Sequence, residues 1–250
     1  MGNLISLAAP PRRIISLVPS QTEFLFDLGL DEEIIGITKF CIHPGEKVKN
    51  KTRIGGTKQF KFEVIDQLNP DLIIGNKEEN YKEGIEQLQA KYPVWMSDIY
   101  TLADACAMMR SLGELTGRRE QARKIVDEIE AGFAALSAPA VRPRVLYLIW
   151  KEPYMCAGKE TFIDEMISAG GFINCLEHVR YPSLTDEEIR VLQPDIIMLS
   201  SEPYPFREKH VAEFRQLCPS AQVRIVDGEL FSWYGSRLRE TAGYLKKIIY

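Results

Sequence analysis

Aromatic side chains recur just after the short apolar runs of this sequence, and polar residues accompany them. Trp150, Tyr154, Tyr204, Phe231 and Trp233 occupy such positions. Aromatic faces with a few polar groups are what a cleft needs to hold a large, flat and partly apolar ligand. For any single ring, packing against the end of a sheet is an equally good explanation. Because such segments recur in both halves of the chain, we favour ligand binding.

Two residues could ligate a metal carried by a bound complex: His43 through a neutral ring nitrogen and Cys41 as a thiolate. The alternative, which we favour, is a structural histidine beside Pro44 and a buried Cys41. None of the 3 histidines is spaced i, i+4 from another, and the 5 cysteines form no C-x-x-C pair. We therefore predict no intrinsic metal or cofactor, and His43 and Cys41 are only candidate axial ligands.

Several signatures of enzymes are absent. The sequence contains no G-x-G-x-x-G, no G-x-x-x-x-G-K-[ST] and no G-x-S-x-G motif. A net charge of -4, without a cationic tail, argues against a nucleic-acid partner. The longest apolar stretches are too short to span a bilayer. We predict a non-enzymatic globular protein.

The elements that position these residues follow from hydrophobic periodicity. The first β-branched run ends at Pro19, and Ser20 is predicted to cap the next helix, with Glu23 three residues later. The predicted strands are 13–19, 34–38, 72–75, 94–97, 144–150, 195–200 and 223–226. The predicted helices are 20–28, 62–68, 81–91, 102–116, 118–136, 161–169, 209–217 and one from 236 onward. Alternating strands and helices predict α/β layers with parallel sheets, whose ligand sites lie at the carboxyl ends of the strands.

An internal echo indicates that the architecture is duplicated. Residues 68–74 read Leu-Asn-Pro-Asp-Leu-Ile-Ile and residues 192–198 read Leu-Gln-Pro-Asp-Ile-Ile-Met, an offset of 194 − 70 = 124. The same offset places Glu78 on Glu202. Apolar residues at three- and four-residue spacing over 118–136 predict one continuous amphipathic helix. We therefore predict an α/β lobe over 1–114, a bridging helix over 115–137 and a second α/β lobe over 138–250.

The ordered set of segments 13–23, 55–58, 68–74, 161–171 and 235–237 resembles the helical-backbone metal receptor superfamily. That superfamily contains the vitamin B12 and iron-siderophore substrate-binding proteins of ABC importers, the class III periplasmic binding proteins. The resemblance runs from about residue 12 to residue 248. It implies two Rossmann-like lobes with parallel sheets, joined by one long bridging helix. A cobalamin-like ligand, a ferric siderophore or haem would be held between them for ABC-type uptake.

The resemblance also implies roles for individual residues. The implied ligand-binding residues are Pro19, Ser20, Gln21, Thr22, Phe40, His43, Lys58, Trp150, Tyr154, Tyr204, Phe231, Trp233 and Arg237. One acidic residue of each lobe contacts an ABC permease in that superfamily, which makes Glu78 or Glu79 and Glu202 the docking candidates. The expected partners are a small-molecule metal complex and an ABC permease, and the expected state is a monomer.

The expected compartment is the periplasm, because members that serve importers are secreted or lipid-anchored. The first residues of this chain lack the basic n-region of a signal peptide, so a cytoplasmic location is the alternative. In that case the protein would be a corrinoid- or tetrapyrrole-binding enzyme or chaperone that is not coupled to a transporter. A further alternative is an interaction module whose cleft has lost its ligand.

Overall fold

The computed structural model describes residues 5, 7–137 and 139–249, without the side chain of residue 249. These residues fall into two compact units. The first contains the chain up to Glu130 together with Trp233–Leu238, and the second contains Ala131–Ser232 and the residues from Arg239 onward. No described helix has both the length and the apolar character needed to cross a bilayer.

The first unit is built on a parallel five-stranded sheet with the order β3-β2-β1-β6-β7. Its strands are β1 (Ile14–Ser16), β2 (Ile34–Ile37), β3 (Thr52–Arg53), β6 (Leu72–Asn76) and β7 (Val94–Ser97), and β4 (Gly55–Gly56) and β5 (Gln59–Phe60) form a separate antiparallel hairpin. Its helices are α1 (Pro19–Asp27), α2 (Gly45–Val48), α3 (Phe62–Leu68), α4 (Lys82–Gln89), α5 (Leu102–Leu115) and most of α6 (Arg119–Ala134). Every residue of β1, β6 and β7 is buried, as expected for parallel strands that are covered on both faces.

The second unit contains a mixed sheet with the order β11-β9-β8-β12-β13, and β10 also pairs with β8. Its strands are β8 (Arg144–Trp150), β9 (Tyr154–Cys156), β10 (Ile173–Asn174), β11 (Ser183–Leu184), β12 (Ile196–Ser200) and β13 (Gln222–Val226). Its helices are α7 (Phe162–Ala169), α8 (Asp186–Leu192), α9 (Glu208–Leu217), α10 (Glu229–Ser232) and α11 (Leu238–Ile249), whose first residue is grouped with the first unit. The core of this sheet includes Leu146, Leu148, Ile197, Leu199 and Phe214.

The predicted α/β class with two lobes is confirmed. The prediction that both sheets are parallel is correct only for the first unit. In the second unit β9 runs antiparallel to β8, and β11 antiparallel to β9. The reason is the short connection after Trp150, because three residues can make a turn but not the crossover that a parallel neighbour needs.

The echo at offset 124 corresponds to the same local structure in both units. Helices α3 and α8 each end in a residue with left-handed backbone, Asn69 (φ 43°) and Gln193 (φ 45°). The aspartate two residues later accepts a hydrogen bond from the backbone before the central strand. Asp71 accepts from the N–H of Arg13 at 2.9 Å, and Asp195 accepts from the N–H of Arg144 at 2.7 Å. Each carboxylate thereby joins the starts of two neighbouring strands.

The predicted cap of the first helix is wrong. Helix α1 begins at Pro19 with Val18 as its N-cap, and Ser20 is the second helical residue. Proline is favoured at the first helical position, because its missing N–H has no intrahelical partner there and its φ angle is already helical. The helix therefore starts two residues earlier than a cap at Ser20 would place it.

Candidate functional site

A buried polar network lies at the carboxyl ends of β1, β6 and β7 in the first unit. Its centre is the Ser97 hydroxyl, which accepts from Gln21 Nε2 at 2.6 Å and from Asn76 Nδ2 at 3.0 Å and donates to the Gly75 carbonyl at 3.2 Å. Ser97 and Gln21 are fully buried and Asn76 is 1% exposed. Because buried amides and hydroxyls need partners, this network fixes how α1 sits on the sheet.

The same network shapes the loop after β6. Asn76 Oδ1 accepts from the N–H groups of Glu78 at 2.8 Å and Glu79 at 3.2 Å. In the second unit, at the position offset by 124, the Ser200 hydroxyl lies 3.4 Å from the N–H of Glu202. In both units, therefore, the last residue of the strand holds the backbone of the acidic residue two positions later.

The loop after β2 is fixed by a thiol and a guanidinium group. Cys41 Sγ lies 3.2 Å from the hydroxyls of both Thr22 and Thr38. Arg53 Nη1 donates to the carbonyls of Thr38 and Cys41, each at 2.9 Å. Cys41 is fully buried, and burial raises the pKa of its thiol. The favoured interpretation of Cys41 as a buried structural residue agrees with this geometry, and a buried thiol that is hydrogen-bonded on both sides is poorly placed to act as a thiolate ligand.

With Cys41 turned inward, the residues on either side of it point to solvent. Phe40 is 50% exposed and Ile42 is 52% exposed. Lys39 Nζ lies 4.9 Å from the centroid of the Phe40 ring. The ring edge also rests on the β4–β5 hairpin, where a Cβ added at Gly56 would lie 3.2 Å from it. The exposed ring is thus held by the two segments that flank it.

A second cluster of the first unit joins α1 to Trp233–Leu238. Glu23 and Arg237 form a two-bonded ion pair at 2.6 and 3.0 Å, with side chains only 15% and 13% exposed. The Arg237 guanidinium lies 5.0 Å from the Trp233 ring, and the His43 ring meets the same tryptophan edge-on at 5.5 Å. Burial raises the pKa of Glu23 and outweighs the opposite effect of Arg237. The carboxylate of Glu23 and the guanidinium of Arg237 are therefore both largely buried, and each is the counter-charge of the other.

In the second unit, aromatic rings gather after β8 and β12. Trp150 is 39% exposed and meets the Tyr204 ring edge-on at 5.5 Å. Behind Tyr204, His210 Nδ1 accepts from the N–H of Arg207 at 2.9 Å, which leaves the ring proton of neutral His210 on Nε2, 3.4 Å from the Tyr204 hydroxyl. Burial lowers the pKa of His210 and so favours the neutral ring. Trp150 is thus the exposed edge of a packed group.

Tyr154 lies on the other side of the turn that follows Trp150. Its ring packs 5.2 Å from Phe214 and is half-buried. Within the turn itself, Lys151 forms an ion pair with Glu213 of α9. The ion pair fixes the turn to α9 and so holds Trp150 in place.

Other residues predicted to bind ligand are packed inside their units. Phe231 is fully buried at 5.0 Å from the ring of Tyr147. Gln21 and Thr22 are fully buried as well, Ser20 is 3% exposed and Trp233 is 7% exposed. Direct contact of the Phe231 and Thr22 side chains with a ligand is excluded in this conformation, because each is enclosed by its own neighbours. Pro19, His43, Tyr154 and Tyr204 are half-buried, and Lys58 is exposed.

A family model described as periplasmic binding protein matches residues 14–216. The chain belongs to this family. Its members are binding proteins rather than enzymes, in agreement with the sequence analysis. Within the described part of the chain, no group of three or more His, Cys, Asp or Glu side chains could hold a metal ion.

The chain is also similar to individual proteins, including one from each of three bacteria. A vitamin B12-binding protein of Pectobacterium carotovorum is 27% identical over 92% of this chain and 85% of that protein. An uncharacterised ABC transporter substrate-binding lipoprotein of Bacillus subtilis, YvrC, is 24% identical over 98% of this chain and 82% of that protein. The periplasmic haem-binding protein HutB of Vibrio cholerae has the same fold, with a TM-score of 0.82, 20% identity and coverage of 95% and 98% of the two chains.

Some residues that shape the loops of this periplasmic binding protein were not predicted from the sequence. Arg53 donates to loop carbonyls and Ser97 accepts from two buried amides, and neither residue was a predicted site residue. Lys39 and Ile42, in the segment directly after the second predicted strand, lie beside Phe40 and are exposed with it. No local pattern marks Arg53, since its partners become neighbours only on folding.

Proposed function

We propose that this chain is the substrate-binding component of an ABC importer and holds a cobalamin-like ligand or an iron chelate, either a siderophore or haem. The observation that carries the proposal is the exposure of large aromatic rings at the carboxyl ends of strands in a binding-protein family. Phe40 is exposed in the first unit and Trp150 in the second. Relatives that are described as binding vitamin B12 and haem support the ligand class.

The proposed ligand-contacting residues are those that the structure leaves accessible. We propose that Phe40, His43 and Lys58 of the first unit and Trp150, Tyr154 and Tyr204 of the second contact the ligand. We propose that five more deeply packed residues of the first unit hold the ligand-contacting residues in position: Pro19, Ser20, Gln21, Trp233 and Arg237. Rings fixed by their neighbours lose little freedom when a ligand binds, which favours affinity.

A titration tests the ligand class directly. The purified protein is titrated with cyanocobalamin, haemin and a ferric siderophore, and tryptophan fluorescence and the visible spectrum of each ligand are followed. We expect saturable binding of one of them at micromolar concentration or tighter. Failure of all three to bind would overturn the proposed function.

Replacing Trp150 with alanine is expected to weaken binding of that ligand about tenfold, because a stacked aromatic contact that water cannot reach is worth on the order of 1 kcal/mol or more. Ile173→Ala is the matched control. Ile173 is 42% exposed in the same unit, but it pairs with Arg144 at the amino end of β8. If both variants bind as tightly as the unmodified protein, Trp150 does not contact the ligand.

We also propose that acidic side chains dock the loaded protein on an ABC permease, with Glu78 or Glu79 in the first unit and Glu202 in the second. The equivalent backbone hydrogen bonds of Glu78 and Glu202 support this pairing. Glu202 Oε1 also accepts from the Ser232 hydroxyl at 2.8 Å, which orients the carboxylate. Because HutB is described as periplasmic and YvrC as a lipoprotein, we place this docking outside the cytoplasm.

The docking proposal predicts a variant that binds ligand but does not deliver it. Glu78→Lys combined with Glu202→Lys is expected to lower uptake in cells more than tenfold. The resemblance implies that arginines of the permease receive these acidic side chains, and lysines would repel them. Ligand affinity is measured separately on the purified variant. Glu83→Lys, a charge reversal at an exposed position of α4, is the control. Equal uptake by the double variant and the control would refute these docking positions.

A further inference from the structure

Lys39 lies beside the exposed Phe40 ring, and Lys58 lies on the turn of the β4–β5 hairpin on which that ring rests. Lys39 and Lys58 are both exposed, and neither has a carboxylate within 4.0 Å in the described part of the chain. The same end of the sheet offers a contrast, because Lys77 is paired with Asp98 at 2.7 Å.

Both ammonium groups are held in place by uncharged contacts. Lys39 Nζ lies over the Phe40 ring, and its backbone N–H donates to the Gly55 carbonyl at 2.8 Å. Lys58 Nζ donates to the backbone carbonyl of Glu78 at 2.5 Å. An ammonium group has three donors, so each lysine keeps donors for another acceptor. Neither positive charge is neutralised by these contacts.

The hairpin that carries Lys58 requires glycine at position 55 and packs against Phe40 and Lys39 at position 56. Gly55 has a φ of 109°, and a Cβ there would lie 2.2 Å from the Gln59 carbonyl. A Cβ at Gly56 would lie 3.2 Å from the Phe40 ring and 3.5 Å from Lys39 Cε. The Gly55–Gly56 strand thus lets Phe40 and Lys39 pack directly on the turn that carries Lys58.

From this arrangement we infer that the ligand is an anion, and that Lys39 and Lys58 bind its acidic groups while Phe40 packs on its apolar part. The inference rests on the proposed function and narrows it. Carboxylates and catecholates form charge-assisted hydrogen bonds with ammonium groups. A neutral ligand that packs on Phe40 would remove water from the two lysines without supplying a negative charge, which is unfavourable. Haem, with its two propionates, and ferric tris-catecholates meet the requirement. Cyanocobalamin and neutral ferric hydroxamates do not.

The experiment compares ligands that differ in charge. Ferric enterobactin, an anion, and ferrichrome, a neutral complex, both present iron in six-oxygen coordination, and haemin and cyanocobalamin extend the comparison to ring ligands. The wild-type protein is expected to bind an anionic member at least tenfold more tightly than any neutral one. Raising the salt concentration should weaken this binding, because exposed charges are screened.

The variants then assign the effect to the two lysines. Lys39→Gln combined with Lys58→Gln is expected to weaken binding of the anion about tenfold and to reduce its dependence on salt. Lys39→Arg combined with Lys58→Arg retains the charge and should retain most of the affinity. Lys124→Gln combined with Lys246→Gln, at exposed positions of α6 and α11, is the control for the same change in net charge. Thermal unfolding of each variant checks that the fold is intact.

The results separate this inference from the proposed function. Tighter binding of cyanocobalamin or ferrichrome than of either anion would overturn the inference and leave the proposed function standing. Unchanged affinity of the Gln variant for the anion would also overturn it. If none of the four ligands binds, the proposed function fails and the inference fails with it.

Discussion

Replacing Arg237 with alanine is expected to lower the free energy of unfolding by about 3 kcal/mol, because the Glu23 carboxylate would remain largely buried without its counter-charge. The two side chains are only 13% and 15% exposed, and the guanidinium group also packs on Trp233. Chemical denaturation measures the loss. Glu23→Gln in the same background should restore part of it, since a neutral amide is less costly to bury than a carboxylate.

The loss should depend on pH in a defined direction. Burial already raises the pKa of Glu23 above its ordinary value of 4.5, and removal of Arg237 raises it further. A carboxyl group whose pKa is raised by folding stabilises the folded state at low pH, and this contribution is lost as the pH rises through the folded-state pKa. The deficit of Arg237→Ala relative to wild type is therefore expected to be larger at pH 7 than at pH 4.

The control for Arg237→Ala is an arginine in an exposed ion pair. Arg123 of α6 lies 3.0 Å from Asp127, and the two side chains are 56% and 53% exposed. Arg123→Ala should cost less than about 1 kcal/mol, because water solvates both charges after the pair is broken. Equal losses in the two variants would show that burial of the Glu23–Arg237 pair has no energetic consequence.

Replacing Ser97 with alanine is expected to cost about 3 kcal/mol, the second large effect. The hydroxyl accepts from the amides of Gln21 and Asn76, so its removal leaves two buried donors without an acceptor. The loop after β6 should loosen as well, since Asn76 holds it through its other amide atom. Denaturation measures the first effect, and amide hydrogen exchange at Glu78 and Glu79 measures the second.

Ser111→Ala isolates the contribution of the buried network. The Ser111 hydroxyl donates to the Ala107 carbonyl within α5 at 2.9 Å, and the residue is half-buried. Its loss removes a donor but leaves no amide without a partner, so we expect less than about 0.5 kcal/mol. If Ser97→Ala destabilises no more than this control, the network does not hold α1 on the sheet.

Hydrophobic patterning predicted the main elements well, because their signals are local. Strands β7 and β8 and helix α3 have the predicted bounds, and most other predicted elements differ by only a few residues at their ends. The mixed sheet of the second unit was missed because β9, β10 and β11 are two or three residues long, too short for any periodicity to emerge. Helix α8 was also missed, although Thr185 and Glu188 form a capping box that the sequence displays.

Which of the predicted site residues are exposed could not be predicted as well as the helices and strands were. Residue types after each strand indicated which loops carry aromatic rings, but not which rings face solvent. Phe231 and Phe40 are equivalent by that criterion, yet one is fully buried and the other is 50% exposed. The difference arises from long-range packing, since Phe231 is enclosed by Tyr147 and Tyr244, whereas Phe40 rests on a glycine hairpin. A single sequence does not display such contacts.

The grouping of Trp233–Leu238 with the first unit has a consequence for biosynthesis. A ribosome synthesises residues up to Glu130 before it reaches Trp233, so the nascent first unit lacks one of its segments until the strands of the second unit have been made. Until then, Glu23 has no Arg237 and His43 has no Trp233. A fragment that ends at Glu130 would lack Trp233 and Arg237 altogether. The first unit is therefore completed only by a segment that follows every strand of the second unit in the sequence.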